Sequence, residues 1–295
     1  MTAPDPVTAS EAVAAATGNP PAPRRAVLGG VTSRIAWSVL ALLVLLALCA
    51  PLIAPYPPGK QDLMDTFAPP SGEHWLGTDN LGRDQLSRLL YGLRASLAIA
   101  LMTTAAVALF GIPLGAVAGY ARGFLNTAIA RFIDMGLALP SLVLALALIA
   151  ALGAGTKSTV IALAAGYTPY LARVVRSVVM RIREEPYVDS ARVSGVHPIR
   201  ILARHVVPNT LAVTSVQLTL IFAFAIISEA GLSFVGLGVQ SPNASLGSML
   251  ASGAEFSLDL PLLAVAPGLT IAVLVIALLF AGDSIRDAVD PRRTR

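Results

Sequence analysis

The chain has 295 residues, of which 55% are hydrophobic and 13% are charged, and its mean hydropathy is +0.73. Soluble domains carry roughly 25% charged residues, so this chain has about half of the charge that usually covers a water-facing surface. The composition excludes a soluble enzyme, a nucleic-acid-binding domain and a disordered scaffold. It predicts a protein that crosses a lipid bilayer several times. No nucleic-acid partner is expected.

The predicted elements begin with a polar tail. Residues 1–30 are rich in Ala, Pro, Thr and Gly, which predicts a disordered cytoplasmic tail rather than a signal peptide. A membrane-crossing helix needs about 20 mostly apolar residues. Six segments meet or approach that length: 35–54, 96–121, 135–155, 158–172, 210–228 and 260–282. The fourth is short, so it is either a short span or the start of a longer amphipathic helix.

The basic residues predict the orientation of these spans. If the N-terminus is inside, 16 of the 21 Lys and Arg residues lie in cytoplasmic parts and 5 lie outside. Because cytoplasmic loops collect Lys and Arg, both termini are expected inside. The prediction is an all-α membrane protein with six transmembrane helices. It divides into the tail, a first helix with an outer segment (31–95), a five-helix core (96–291) and a basic C-terminal tail (292–295).

A long basic loop, residues 183–209, separates the fourth and fifth predicted spans. Asp189, Ser190 and Ala191 begin a predicted short helix, with an acid in its first turn and small residues that allow a partner to approach closely. Gly195 is expected to end this helix in the left-handed conformation.

A second short helix is predicted from Pro198 to Val206, where Pro208 would stop it before the fifth span. Its expected apolar face is Ile199, Leu202 and Val206, and Arg200 and Arg204 form a basic pair four residues apart. Two interpretations of the 183–209 loop remain open from the pattern. It lies on anionic lipid headgroups, or it is a helix–turn–helix that docks into a cleft of a cytoplasmic partner.

The 183–209 loop resembles the EAA loop of ABC-importer permeases, in which Glu-Ala-Ala is followed by three residues, a Gly and, about twelve residues later, a Pro. Asp189-Ser190-Ala191 stands for Glu-Ala-Ala, and Gly195 and Pro208 have the matching offsets. The departures, Asp for Glu and Ser for Ala, keep the charge sign and the small size.

Three further signatures are similar to those of the dipeptide/oligopeptide/nickel subfamily of these permeases. They are the run from His74 to Asp84 continued by 87–92, the Arg131–Asp134 run followed by Leu139-Pro140-Ser141, and residues 229–240. The resemblance covers about residues 31–291. It implies the type I ABC-importer permease fold and a place in the bacterial inner membrane.

The resemblance also implies partners. Members of the family work with a second homologous permease, two ATP-binding-cassette ATPases that use ATP and Mg, and an external solute-binding protein. In this chain, residues 153–158 superficially resemble a phosphate loop, but no Gly directly precedes Lys157. No nucleotide site, resident cofactor or metal site is therefore expected here. Di- or oligopeptides are the expected substrates, with nickel, glutathione and haem as alternatives.

The 72–94 segment, expected outside, contains charges of alternating sign: Asp79, Arg83 and Asp84, with Gly82 between them. Two interpretations stand. The segment is a docking surface or gate for the external binding protein, or the charges pair with one another and brace the helices. No nucleophile, base or ligand set accompanies the acids, so a catalytic role is not expected.

Charged residues also occur within or beside the predicted spans. Glu229 ends the fifth span, where a buried acid is costly and therefore a functional candidate. It pairs with an Arg or backbone N–H, or it couples protons in a secondary carrier, the rival class of transporter. Asp134 lies three residues after Arg131, so local pairing is expected.

A glycine repeat marks the second predicted span. Gly111, Gly115 and Gly119 recur every four residues and therefore lie on one face of a helix. Such a small-residue face predicts close helix packing. Pro113 and Pro140 are expected to bend the second and third spans.

Overall fold

A computed structural model describes residues 25–289, and most of these residues are helical. No β-strand occurs within this range. The helices, in chain order, are α1 (Arg25–Leu48), α2 (Ala50–Ile53), α3 (Gln85–Tyr120), α4 (Phe124–Ala138), α5 (Ser141–Leu152), α6 (Thr156–Ile182), α7 (Pro186–Val193), α8 (Pro198–Ile201), a π-helical turn (Leu202–Val206), α9 (Val207–Phe234), α10 (Leu246–Glu255) and α11 (Leu262–Val289).

Within residues 25–289, four helices are long and apolar enough to cross a membrane: residues 30–48, 85–120, 198–234 and 262–287. The bent pair α4–α5 makes a fifth candidate if it counts as one span. The predicted fourth span lies in α6, which continues well beyond residue 172 to Ile182. The chain therefore forms the longer amphipathic helix. Three Arg residues in the second half of α6 keep it out of the set of helices that are apolar enough to cross a membrane.

The N-terminal boundary differs from the prediction. Helix α1 already begins at Arg25, so residues 25–30 of the predicted disordered tail are helical. Residues 1–24 and the predicted tail 292–295 lie outside the described part of the chain. Helix α3 also starts earlier than predicted, at Gln85, because the carboxylate of Asp84 accepts a hydrogen bond from the Ser87 N–H (2.7 Å) and caps the helix.

The third predicted span is not one straight helix. Helices α4 and α5 meet at an angle of 86°. Pro140 disfavours a helical conformation in the residue before it, and Leu139 is accordingly extended. The predicted bend is thus confirmed, whereas a continuous helix over 135–155 is wrong. The bent pair lines, with α3 and α6, an open apolar cavity of about 690 Å³.

The second helix of the 183–209 loop does not stop at Pro208, contrary to the prediction. Helical structure runs without a break from Pro198 to Phe234. Proline cannot donate to the carbonyl four residues back, and the π-helical turn takes up this defect: the Val207 N–H bonds to the carbonyl of Leu202, five residues earlier. The Asn209 amide also donates to the carbonyl of His205 (2.6 Å).

The glycine face of α3 packs against α6, as predicted. A Cβ on Gly115 would lie 2.4 Å from the carbonyl oxygen of Ala172, and one on Gly119 would lie 2.7 Å from that of Arg176. These distances leave no space for a side chain. The backbones of α3 and α6 are therefore in direct contact along the second half of α3.

Candidate functional site

The 183–209 loop begins with α7, whose N-terminal residue is Pro186, three residues before the predicted start. Asp189 and Ser190 are exposed, and Asp189 Oδ1 accepts a hydrogen bond from Arg192 Nη1 (2.7 Å). Ala191 is half-buried and packs inward against the core. Of the three EAA positions, the first two therefore face outward and the third faces the protein.

Gly195 ends α7 with φ +76°, the predicted left-handed conformation. His197 caps α8, since its Nδ1 accepts from the Ile199 N–H (3.3 Å). The predicted apolar face is partly wrong: Ile199 is 69% exposed, and Ile201 is buried in its place. The other two predicted residues do contact the core: Val206 is buried, and Leu202 is partly buried and packs against the same cluster.

Charged and anchoring residues divide the loop into two faces. Arg200, Arg204 and Pro208 are exposed, while Val188, Ile201 and Val206 are completely buried in one cluster with residues of α3, α6 and α9. The buried face holds the loop firmly on the protein. The outward face remains available, and it includes Val193, which is 90% exposed.

The 72–94 segment lies at the opposite end of α3. Its central charges, Asp79, Arg83, Asp84 and Arg88, are buried, whereas Glu73 and Arg94 are exposed. Asp79 is 6% exposed, and its Oδ2 atom contacts Nε of Arg83 (2.7 Å) and Nε of Arg88 (3.4 Å). The Asp79 Oδ1 atom accepts from the backbone N–H groups of Leu81 (2.9 Å) and Arg83 (3.0 Å). The predicted pairing of Asp79 with Arg83 is present, and the same carboxylate also contacts Arg88.

The neighbouring residues complete this small folded unit. Besides capping α3, Asp84 contacts Nδ1 of His74 (2.8 Å). Gly82 has φ +67°, and a Cβ there would lie 1.7 Å from the carbonyl oxygen of Asp62. Only glycine fits a position with both this conformation and this close backbone contact.

Glu229 is fully buried near the end of α9. Its two carboxylate oxygens accept hydrogen bonds from Ser96 Oγ and Ser233 Oγ, each at 2.7 Å. Ser96 Oγ in turn accepts from the Leu246 N–H (3.3 Å) at the start of α10, and Ser233 Oγ accepts from the Val239 N–H (3.2 Å). The expected Arg or backbone partner is replaced by two serines, which connect α3, α9 and α10 around the acid.

The predicted local pair between Asp134 and Arg131 is wrong. Asp134 forms its ion pair with Arg173 of α6. Both partners are about half exposed. Residues three apart on one helix are neighbours, but the packing of α4 beside α6 brings Arg173 closer to the carboxylate.

Sequence reasoning missed several members of these networks. The spacing of Ser233 four residues after Glu229 puts both on one face of α9 and was a usable signal. The contacts of Glu229 with Ser96 and of Asp79 with Arg88 had no local signal, because they join residues that only the packing of the helices brings together.

Two family models match this chain. The model described as a binding-protein-dependent transport system inner membrane component matches residues 111–295. The N-terminal transmembrane domain of oligopeptide transport permease C matches residues 33–70. Together they cover both the helical core and the first helix with its loop.

Individual relatives align over most of both chains. A putative peptide transport system permease of Brucella suis is 41% identical over 259 residues, which covers 88% of this chain and 87% of the relative. A di/tripeptide transport system permease of Pseudomonas aeruginosa is 42% identical and covers 85% of each. The nickel transport system permease of Escherichia coli is 34% identical and covers 88% of this chain and 93% of that one.

Among solved structures, the MetNI methionine ABC transporter in an inward-facing conformation matches with a TM-score of 0.57 and 20% identity. The match covers 69% of this chain and 96% of that one, so the type I ABC-importer permease fold is shared. Members of this class leave ATP hydrolysis to separate subunits. The chain therefore belongs to the family of binding-protein-dependent transport system inner membrane components, as a non-enzymatic, multi-pass permease of bacterial ABC importers in the dipeptide/oligopeptide/nickel subfamily.

Proposed function

We propose that this chain forms half of the translocation pathway of an ATP-driven importer of di- or oligopeptides. A second homologous permease supplies the other half, an external solute-binding protein delivers the peptide, and two ATPases with ATP and Mg drive the cycle. The peptide substrate is supported by relatives named for peptide transport at 41–42% identity, against 34% for the relative named for nickel.

The exposed face of the 183–209 loop is the observation that carries the coupling role. Val193 and Ile199 are large apolar side chains exposed to 90% and 69%, and the same loop exposes Arg200 and Arg204. Exposed apolar groups accompanied by polar residues are typical of protein-binding surfaces. We assign this face, with Asp189, Ser190 and Gly195, to docking in a cleft of the ATPase.

The buried face of the same loop supports transmission of force. Because Val188, Ile201 and Val206 anchor the loop in the core, a displacement of the docked ATPase moves the loop and the attached helices as a rigid body. The permease then switches between inward-open and outward-open packings.

The proposed membrane arrangement has six spans with both termini in the cytoplasm. The spans are α1, α3, the bent pair α4–α5, α6, the run 198–234 and α11. Counting α6 requires its Arg-rich half to emerge on the cytoplasmic side. The test is labelling of single cysteines, after Cys49 is replaced, with a reagent that does not cross membranes. A cysteine at Lys157 should react in whole cells, and one at Arg122 should react only in inverted vesicles.

For the 72–94 segment we propose bracing rather than a mobile gate. Asp79, Arg83, Asp84 and Arg88 are buried. Asp79 pairs with the two arginines and Asp84 contacts His74, so these four side chains are not exposed to a partner. We likewise assign Glu229 to holding α10 and the preceding residues in place, since serine hydroxyls occupy both oxygens. Asp134 and Arg131 are assigned to the membrane boundary of α4.

The docking assignment has a matched pair of variants. Gly195 and Gly123 are both exposed glycines with positive φ (+76° and +66°), and a Cβ at either would meet no atom within 4 Å. Gly195→Asp should keep the permease in the membrane but remove the ATPases from the purified complex and abolish uptake. Gly123→Asp adds the same charge at an exposed glycine of positive φ outside the loop and should keep both.

Two results would refute the function. Normal uptake by Gly195→Asp excludes docking through this face. Uptake that survives loss of the ATPase but ends when the proton gradient is collapsed indicates a secondary carrier using Glu229. The substrate is tested by binding of radiolabelled dipeptides, Ni²⁺, glutathione and haem to the cognate binding protein; tight binding of dipeptides alone is expected.

A further inference from the structure

The last turn of α3 is bound by a side chain from the 183–209 loop. Helix α3 has no basic residue in its own last turn. Arg183, the first residue of the loop, instead donates from Nη1 to the carbonyl oxygens of Gly119 and Ala121, both at 2.9 Å. The last carbonyls of a helix lack intrahelical partners and carry its partial negative charge, so a guanidinium is well suited to this position.

A second contact joins the same helix end to α7. The guanidinium of Arg192 lies 5.7 Å from the ring centroid of Tyr120, within the range of a cation–π interaction. Asp189 holds Arg192 from the other side (2.7 Å). The Tyr120 side chain also packs against the cluster that contains the buried Val188 of α7. The loop is thus attached to α3 at two separate points.

Helix α3 is able to carry a displacement over a long distance. It has 36 residues, which correspond to about 54 Å. The glycine face supports it against α6, including the turn beside Pro113. Its other end is held in the 72–94 segment by the Asp84 cap and by Arg88, and Ser96 contacts Glu229.

We propose that α3 is the rod that transmits movement of the docked loop to the opposite end of the permease, and that Arg183 is the positioning residue that clamps the loop to it. The route differs from transmission through the two helices that continue directly from the loop, α6 and α9. This inference rests on the proposed docking of the ATPases.

The clamp is tested in the complete importer purified with its ATPases and reconstituted in lipid. The probe is the cognate binding protein as purified with its endogenous ligand. Arg183→Gln should retain the ATPases and hydrolyse ATP at the basal rate within about twofold, but stimulation by the binding protein should fall at least about fivefold, with a parallel loss of uptake. Arg183→Lys should give partial stimulation, because an ammonium keeps the charge but lacks the planar fork.

The control is Arg181→Gln, which removes the same charge from an exposed position two residues away and should behave as the wild type. Unchanged stimulation in Arg183→Gln overturns the clamp. Loss of the ATPases from Arg183→Gln also overturns it, since Arg183 would then be part of the docking surface. An equal loss of the basal and the stimulated ATP hydrolysis rates would show that Arg183 only caps the helix, and this result also overturns the clamp.

Tyr120→Leu provides an independent test because it removes the aromatic face but keeps an apolar side chain. It should lower stimulation less than Arg183→Gln does, with the ATPases retained. If both variants fail to reach the membrane, the contacts serve folding and the proposal is wrong. A wild-type complex that contains no ATPase would instead refute the proposed function itself, which separates the two failures.

Discussion

The two ends of α3 use charge in opposite ways. In the 72–94 segment, Asp79, Arg83 and Arg88 are nearly inaccessible, and the Asp79 carboxylate pairs with both arginines. In the 183–209 loop, Arg200 and Arg204 are exposed, and the Asp189 side chain is 58% exposed in its pair with Arg192. Buried charges that are fully paired hold a structure together, whereas exposed charges remain available to a partner. The comparison teaches that charge pattern alone does not distinguish a brace from a docking surface.

The largest expected effect comes from removing the acid of the brace. Asp79→Asn leaves Arg83 and Arg88 buried without a counter-charge, and breaking a buried pair costs about 3–5 kcal/mol. We expect a much lower thermal midpoint of the detergent-purified chain, or its loss from the membrane. Asp189→Asn is the matched control, because exposed pairs contribute only about 0–1 kcal/mol. Equal stability of the two variants would contradict the comparison.

A smaller loss is expected from Gly82→Ala. The added methyl group meets the Asp62 carbonyl in a backbone conformation with φ +67°, so about 2–3 kcal/mol is expected from overpacking and strain. Gly123→Ala has a similar φ but open space around it, and it should cost clearly less. Thermal unfolding of both variants measures the difference, and a midpoint for Gly82→Ala as high as that of Gly123→Ala would show that the 72–94 segment is not tightly folded.

Glu229 sharpens the distinction between bracing and proton coupling. Glu229→Ala leaves the Ser96 and Ser233 hydroxyls without their acceptor, at a cost of about 1–3 kcal/mol. Glu229→Gln keeps the shape and one acceptor, so stability and uptake should be largely restored. Uptake assays with and without a protonophore decide the point: a Gln variant that is stable but inactive would favour the proton-coupled carrier.

The smallest effect is expected for Asp134→Asn. Its ion pair with Arg173 is about half exposed, and such pairs contribute about 0–1 kcal/mol. The thermal midpoint should hardly change, and raising the salt concentration should have little influence on the difference from the wild type. A loss comparable to that of Asp79→Asn would mean that this pair is buried in the assembled importer by another subunit.

Local sequence signals predicted the elements that depend on backbone chemistry. The left-handed Gly195, the proline at the start of α8, the bend at Pro140 and the glycine face of α3 all follow from conformations or sizes that belong to a single residue type. Predictions that required a partner failed more often. Asp134 pairs with Arg173 rather than with Arg131, and Ile201 rather than Ile199 faces the core.

Pro208 shows why a local rule is not sufficient. A proline usually ends a helix, but the helix here continues through Pro208. The π-helical turn places the Val207 N–H on the carbonyl of Leu202, and the Asn209 side chain donates to the carbonyl of His205. Ile201, just before this turn, and Val206, at its end, are buried in the core. Tertiary packing, which is not written in the local pattern, therefore decided where the helix ends.

The sequence by itself determined the membrane class, the helical fold and the family, because hydrophobic length, charge scarcity and ordered motifs are properties of the chain read in one dimension. Only the tertiary structure decided which charges are buried and which are free, since burial depends on residues far apart in the chain. The pairing of Arg183 with the end of α3, more than 60 residues earlier, is the clearest case. It was the packing of α3 against α6 that brought them together.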